Sequence, residues 1–392
     1  MGNTFGRMFR ITTSGESYGG GFRKNLDIPE ELYGGLTTII DGVPPGITLT
    51  SELIQNELDK RKPGQSALST PRKEKDKVYI FSGVMENYLT TGAPVGIIIP
   101  NTDIEDVHIE QHRENKYFIR PGQAAYTYYK KYGQFADWAG AGRASGRETA
   151  ARVAGGAVAK LILDTIGIDV IAFVTESHGI KAQPISYEMA KVNYRKNELN
   201  CPDLEKAEEM IDDLVKVKAT GDSCGGVVEI IAKGVPAGLG EPVFDKLDAT
   251  IAHGIMSIGG VKGIEFGVGF RHAEMKGTES NDTPFYDKES GKIKFKTNRA
   301  GGLLGGISNG EEIRIRVAVK PTPTIMLDQD TVDIGKMENI IHRFTSRSDP
   351  SLCPRIYPVC EAMVRIAILD AIYMAKAYKS IADNIDPKWN NL

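Results

Sequence analysis

The sequence predicts an α+β fold with antiparallel sheets, and three observations carry that prediction. Candidate strands come as hairpin-like runs interrupted by helices, not in strict strand–helix alternation. A Gly-led string near the N-terminus, followed by a strand and a Pro-Gly turn, recurs past the middle of the chain. Glycine is also frequent, 43 of 392 residues, against about 7% in average proteins. Many backbone positions can therefore take positive φ or approach a ligand closely.

Strands are expected at Lys77 to Ser82, Val95 to Pro100, Ile168 to Thr175, Gly226 to Lys233, Gly263 to Phe270 and Glu312 to Val319. Three helices stand out. Arg147 to Asp164 is rich in Ala and Gly and suits close packing. Asp203 to Lys218 is amphipathic and charged, a surface helix. Pro358 to Ala382 is apolar on one face, with Met363, Ile366, Ala367 and Ile372. In the repeat, Gly15-Glu16-Ser17-Tyr18-Gly19-Gly20 is echoed by Gly221-Asp222-Ser223-Cys224-Gly225-Gly226. The strand at Ile39-Ile40 then matches that at Ile230-Ile231, and Val43-Pro44-Pro45-Gly46 matches Val235-Pro236-Ala237-Gly238. Short Gly-rich strings can echo by chance, but the shared order of both elements reads as a duplication. The first copy is longer by about 14 residues, an insertion at roughly 21–34. No linker divides the chain, so residues 1–392 are expected to form a single pseudo-symmetric domain.

Composition narrows the function. Net charge is −3, so no global field steers the protein to nucleic acid or membrane. Any anion site must be a local cluster of Arg and Lys. The four cysteines show no CxxC spacing, which argues against zinc and against a disulfide framework. No metal is expected. No segment is long and apolar enough to span a bilayer, and no signal peptide is expected. The expected location is the cytoplasm.

The most informative stretch is Gly140-Ala141-Gly142-Arg143-Ala144-Ser145-Gly146-Arg147-Glu148-Thr149. Glycines lead into a helix start, where backbone N–H groups and the helix dipole favour an anion and Arg143 can add a bidentate contact. A dinucleotide fingerprint is excluded. Gln134 to Ala139 is not a convincing strand, and the nearest strand-end acid, Glu176, is too far downstream.

Further strings surround this stretch in order: Met1 to Gly6, Phe9 to Ser17, Asp41 to Gly46, Leu58 to Gly64, Thr90 to Gly92, Asn101 to Asp103, Arg120 to Gly122 and Tyr126 to Tyr128. After it come Gly234 to Asp245, Ala252-His253 with Met256 to Ile258, Ala300 to Gly310, Lys320 to Thr324 and Arg347 to Pro350. Over nearly the whole chain these resemble the chorismate synthase family. The resemblance implies one α+β domain with a helical layer between antiparallel sheets, assembled as a homotetramer. It implies a lyase of aromatic amino acid biosynthesis, in the shikimate pathway, that uses reduced FMN. The reaction it implies eliminates phosphate from 5-enolpyruvylshikimate 3-phosphate, a small anionic cyclohexene, to give chorismate. Flavin contacts carry over to Arg143, Ala144, Ser145, Gly259, Gly260, Gly305, Lys320, Pro321, Thr322, Pro323, Thr324 and Arg347. Asp349 matches an acid near the flavin, while Ser17, Arg61 and Arg120 match substrate-side residues. The chemistry suits these types, because departing phosphate needs cations.

The sequence departs from the family at the active site. Tyr18 stands where the family has a histidine after Gly-Glu-Ser, which the resemblance implies donates a proton to the leaving phosphate, and Gln123 where it has one after Arg-Pro-Gly, which the resemblance implies protonates the flavin. Ala125 replaces an Asp, Ala67 and Ala139 replace basic residues, and Ser348 replaces a His. Tyr18 and Gln123 are taken as the substitutes in catalysis. A phenol of pKa about 10 is poorly matched to neutral acid catalysis, and an amide cannot shuttle a proton. His178, His108, His112, His272 and His342 read as ordinary solvated or packing histidines. His253 is open between a place near the flavin and packing. Two alternatives therefore stand beside the family reaction: a paralogue acting on a related, less anionic cyclohexene, and a flavin-binding protein without lyase activity.

Overall fold

Leu36, Thr38 and Ile40 are buried while Thr37, Ile39 and Asp41 are half-exposed, and the stretch from Ile313 to Val319 alternates in the same way. That period of two is the mark of strands with one face on a core. The computed structural model describes residues 2–18, 29, 35–62, 76–101, 106–344 and 349–385. The expected insertion at 21–34 lies, apart from Pro29, outside the described residues.

The first half runs β1 (Thr4–Phe5), β2 (Arg10–Ser14), β3 (Leu36–Asp41), α1 (Ser51–Asp59), β4 (Tyr79–Ser82), β5 (Val95–Ile99), α2 (Asp106–Glu114), α3 (Ala125–Tyr132) and α4 (Thr149–Asp164). The second half begins with β6 (Asp169–Ser177), β7 (Ile180–Lys181), α5 (Tyr187–Asn193), α6 (Leu204–Ala219), β8 (Gly226–Lys233), α7 (Leu247–Met256), β9 (Val261–Phe266) and α8 (Gly277–Ser280). It ends with three hairpins, one further sheet strand and a long helix: β10 (Pro284–Asp287) with β11 (Lys292–Phe295), β12 (Leu303–Leu304) with β13 (Ile307–Ser308), β14 (Ile313–Val319), β15 (Gln329–Asp333) with β16 (Glu338–His342), and α9 (Cys353–Ile385).

Two five-stranded antiparallel sheets dominate, in the orders β1-β2-β3-β5-β4 and β7-β6-β8-β14-β9. The two echoed strands of the sequence repeat, β3 and β8, each take the middle place of their sheet. Between the sheets lies a helical layer. α4 packs on β2, β3 and β5 from one side and on α9, which in turn covers β6 and β8. The small residues of α4 permit this. A Cβ on Gly156 would sit 2.3 Å from the Ala362 Cβ of α9, so any side chain there forces the two helices apart.

A buried ion cluster ties α1 to this layer. Glu57 accepts from Lys60 at 2.7 Å and from Arg365 at 2.8 Å, and Glu361 accepts the Ala172 N–H of β6 at 2.9 Å. Burial pushes the Glu57 carboxyl upward, but Arg365 and Lys60 outweigh it and hold the pKa at about 2.

Element boundaries differ from expectation for identifiable reasons. Asp203 is the cap of α6, accepting the Lys206 N–H at 3.2 Å. α9 starts at Cys353 and carries Pro358 within it. β9 ends at Phe266, because Gly267 turns at φ 57° and the chain enters a 3₁₀ turn at Gly269–Glu274. No helix among the described residues is long and apolar enough to cross a membrane.

Candidate active site

Gly140, Ala141 and Gly142 all take positive φ, 58°, 68° and 49°, and lead into 3₁₀ turns before α4 begins at Thr149. The turn at Gly140 also makes room for a neighbour. A Cβ there would lie 2.4 Å from the Tyr18 ring, which is 4% exposed and packed on Ile109 and Ala139. Behind this loop opens a cavity of about 800 Å³.

The wall is strongly cationic. Among the described residues six arginines and two lysines line it, against two carboxylates, Glu148 and Asp349. It gathers Ser17, Tyr18, Arg61, Arg120, Gln123, Arg143, Ala144, Ser145, Gly259, Gly260, Lys320, Thr322, Pro323, Thr324 and Asp349, all expected from the sequence. Two expected residues are placed elsewhere. Gly305 lies on the β12–β13 turn, whose Gly306 carbonyl accepts from Leu247 N, and it is not part of the wall. Pro321 turns away from the cavity and lies against Gly225. Arg347, Ser348 and Ala67 fall outside the described residues.

The cations differ in what they can offer. The Arg143 guanidinium donates to Gly15 O and Asn3 Oδ1 at 3.0 Å and to Thr13 Oγ1 at 2.9 Å. Its fork, expected to clamp an anion, is bonded to protein oxygens and ties the N-terminal strands to the rim. Arg61 and Arg147 are buried and meet on one carboxylate, Asp76, at 2.5 and 2.8 Å. Burial pushes the Asp76 carboxyl up, yet these two and Arg355 bring it below its ordinary value. Arg355 donates to Asp349 at 2.8 Å and to the Arg61 carbonyl at 3.2 Å. Lys320 donates its ammonium to the Gly122 carbonyl, and burial, with Lys262 nearby, lowers its pKa. Arg120 lies 5.5 Å over the Phe344 ring and donates to His112 Nδ1 at 3.0 Å. Ser17 is held by Asn101 on its carbonyl at 2.6 Å, and Ser145 reaches its hydroxyl at 3.2 Å.

Sequence reasoning missed three groups here. Arg355 and Asp76 sit outside the matched strings, although Arg355 follows Asp349 by only six residues. His112 reads from the sequence as an ordinary solvated or packing histidine. It instead lines the cavity, with its ring edge on Tyr18 at 5.1 Å between centroids. The other histidines keep their ordinary reading. His178 pairs with Asp213 at 2.8 Å on the surface, His272 bonds Ser280, His108 lies beside Gln111, and His342 packs between Phe118 and Phe344. His253 packs edge-on against Phe5 and is not part of the cavity wall.

Comparison with known proteins gives the family. The family model described as chorismate synthase matches residues 9–373. A chorismate synthase of Acetivibrio thermocellus is 71% identical over the whole of both chains. One of Methanococcoides burtonii is 48% identical, covering 94% of this chain and 95% of its own. A crystal structure of chorismate synthase superposes with a TM-score of 0.69 at 30% identity, covering 94% of this chain and 93% of that one. Matched end to end by sequence and by fold, the chain belongs to the chorismate synthase family.

Proposed function

We propose that the protein is a lyase that uses reduced FMN to eliminate phosphate from 5-enolpyruvylshikimate 3-phosphate, giving chorismate. The observation that carries this reading is the cationic cavity, eight Arg and Lys around a space of about 800 Å³. That volume lies toward the upper end for ligand sites, ~300–1,000 Å³, and leaves room for a cofactor beside a small ring.

The residues present fit a flavin mononucleotide. Thr322 Oγ1 is buried in the wall without a hydrogen-bond partner among the described residues, a polar atom that a ligand would satisfy. Gly259 and Gly260 bring bare backbone to the same wall, and Lys320 supplies charge. Ala144, Ser145, Thr322, Pro323, Thr324 and Lys320 would hold the cofactor, with Arg347 joining from outside the described residues. Bound there, reduced FMN supplies electron density for breaking the allylic C–O bond.

The protein's own part is electrostatic and positional. Arg120 binds the substrate's anionic groups and stabilises charge as it develops on the departing phosphate. Asp349, fixed by Arg355, holds one carboxylate in a cationic wall, where it can take a proton from the reacting region. The buried Arg61–Asp76–Arg147 group keeps that wall rigid.

Tyr18 and Gln123 both face the cavity, so the lost histidines are lost within the site. A relative 71% identical along its full length, bearing the chorismate synthase name, supports the family reaction over a paralogue's substrate or an inactive flavin binder. All four cysteines are free and buried, which suits a reducing cytoplasm. Val243 and Phe244, 71% and 90% exposed, give a neighbouring subunit an apolar contact in the proposed homotetramer. The test is phosphate release from 5-enolpyruvylshikimate 3-phosphate under anaerobic conditions with reduced FMN. Stoichiometric phosphate and chorismate support the reading, and no turnover with bound FMN removes it.

A further inference from the structure

We propose that His112 of α2 is the proton donor to the departing phosphate, taking over the task that position 18 has lost. The proposal rests on the reaction proposed above.

The geometry is specific. His112 lines the cavity, and its ring lies 5.1 Å from the Tyr18 ring, centroid to centroid, at 69°. An imidazole is therefore present within about one ring's width of the missing one, delivered from a different element. Tyr18 cannot move aside, because it is wedged between Ile109, Ala139 and the bare Gly140 backbone. It serves as a wall for the imidazole beside it.

Arg120 explains how the ring changes state. Its Nη2 donates to His112 Nδ1 at 3.0 Å, so in this arrangement Nδ1 is an acceptor and the single proton is on Nε2. The imidazolium carries N–H on both nitrogens and is incompatible with that contact. A phosphate ester arriving in the cavity offers Arg120 a bidentate, charge-assisted partner that a ring nitrogen cannot match. Once Arg120 turns to the phosphate, Nδ1 is released, and the phosphate's negative charge favours the imidazolium. Substrate thus arms its own acid. The charged or titratable groups that meet the ring from other elements include Tyr18 and Arg120, with His342 of β16 behind Arg120.

The step balances. The C–O bond breaks and its electron pair leaves on the phosphate oxygen. The imidazolium N–H bond breaks and its proton goes to that phosphate. The ring C=C shifts onto the carbon that loses phosphate, the electrons of the C–H bond form the second C=C bond, and the proton released there equals the one that solvent returns to His112. No added oxidant or reductant is needed.

The experiment compares wild type, His112→Gln, and His112→Gln with Tyr18→His. Glutamine keeps an acceptor for Arg120, and an FMN titration verifies the site. The expected result is a kcat lowered about 10²–10⁴-fold in His112→Gln, with KM changed much less. The fall in wild-type kcat as pH rises through the imidazole range should vanish in the variant, and Tyr18→His should restore at least tenfold. Wild-type turnover with His112→Gln within about twofold overturns the role of His112 and leaves the reaction standing. No wild-type turnover overturns both. On the wild-type protein, independent of any variant's folding, inorganic phosphate should move the His112 imidazole ¹⁵N resonances toward the protonated form. No movement at saturating phosphate overturns the arming step.

Discussion

Asp349 accepts from Arg355 at 2.8 Å, and the same guanidinium reaches back to the carbonyl of Arg61 at 3.2 Å. The acid is thereby fixed to the frame that also holds Asp76. Asp349→Asn keeps the shape and an acceptor for Arg355 but removes the ionisable group. The expected outcome is a kcat lowered by about 10²–10⁴-fold with FMN binding retained. Steady-state phosphate release at several pH values measures it, and an unchanged kcat removes Asp349 from proton handling.

Thr322 tests the cofactor site. Its hydroxyl has no hydrogen-bond partner among the described residues, so Thr322→Val removes a group that a ligand would satisfy. Apo stability should stay level or rise slightly, because an unpaired buried hydroxyl is lost. FMN affinity should fall by a factor of about 2–10, the loss of one neutral hydrogen bond worth ~0.5–1.5 kcal/mol. Arg347→Ala should cost more, about 1.5–3 kcal/mol for a charge-assisted contact. Fluorescence titration of FMN checks both, and equal affinity in all three proteins would falsify the placement.

Glu57 sets a pH limit on stability. Its pKa is lowered from 4.5 to about 2 in the fold, where Arg365 and Lys60 overcome the burial cost. A depressed carboxyl contributes stability that is fully present above its unfolded pKa and is lost as pH falls through the folded one. The window is thus from 4.5 down to about 2, and the effect is on the order of 3 kcal/mol. Urea unfolding across that window should show a steep decline in wild type and a shallower one in Glu57→Gln. Equal slopes would assign acid sensitivity to other groups.

Much of the framework was legible because its signals are local. The alternation in Glu312 to Val319 and the Ala/Gly density after Arg147 each mapped to one element, and the repeated Gly strings led to the central strand of each sheet. The site was legible where family strings carry it, as at Lys320 to Thr324. What stayed hidden depends on distance in the chain. Nothing near Arg143 reveals that its guanidinium is bonded to Gly15, Asn3 and Thr13, and nothing near His112 shows Arg120 and Tyr18 closing on it. Gly305 lies in the matched string Ala300 to Gly310, none of which lines the cavity, and the next glycine meets Lys246 and Leu247. A motif shows which residues keep company, but the packing of α2 and α4 decides which atoms meet.

Gln123 gives the last prediction. It lines the cavity from the turn at Gly122, and its N–H donates to the Arg120 carbonyl at 3.2 Å. Its amide cannot titrate, so Gln123→His adds an ionisable group beside Arg120 and Lys320. Cations at that range disfavour the imidazolium and push its pKa below the ordinary value of about 6.5. The new ring should be neutral at pH 7 and change the rate little there. Any gain should appear only on the acid side, where the ring charges. Ala125, at the start of α3, is why the single substitution falls short, since no carboxylate stands two residues on to hold the charged form. Gln123→His with Ala125→Asp should supply one, raise the imidazole pKa and move the gain toward neutral pH. Profiles of kcat against pH for the wild type, single and double variants decide it. If the double variant's profile lies at or below the single's in pH, the charge on Ala125→Asp does not reach position 123.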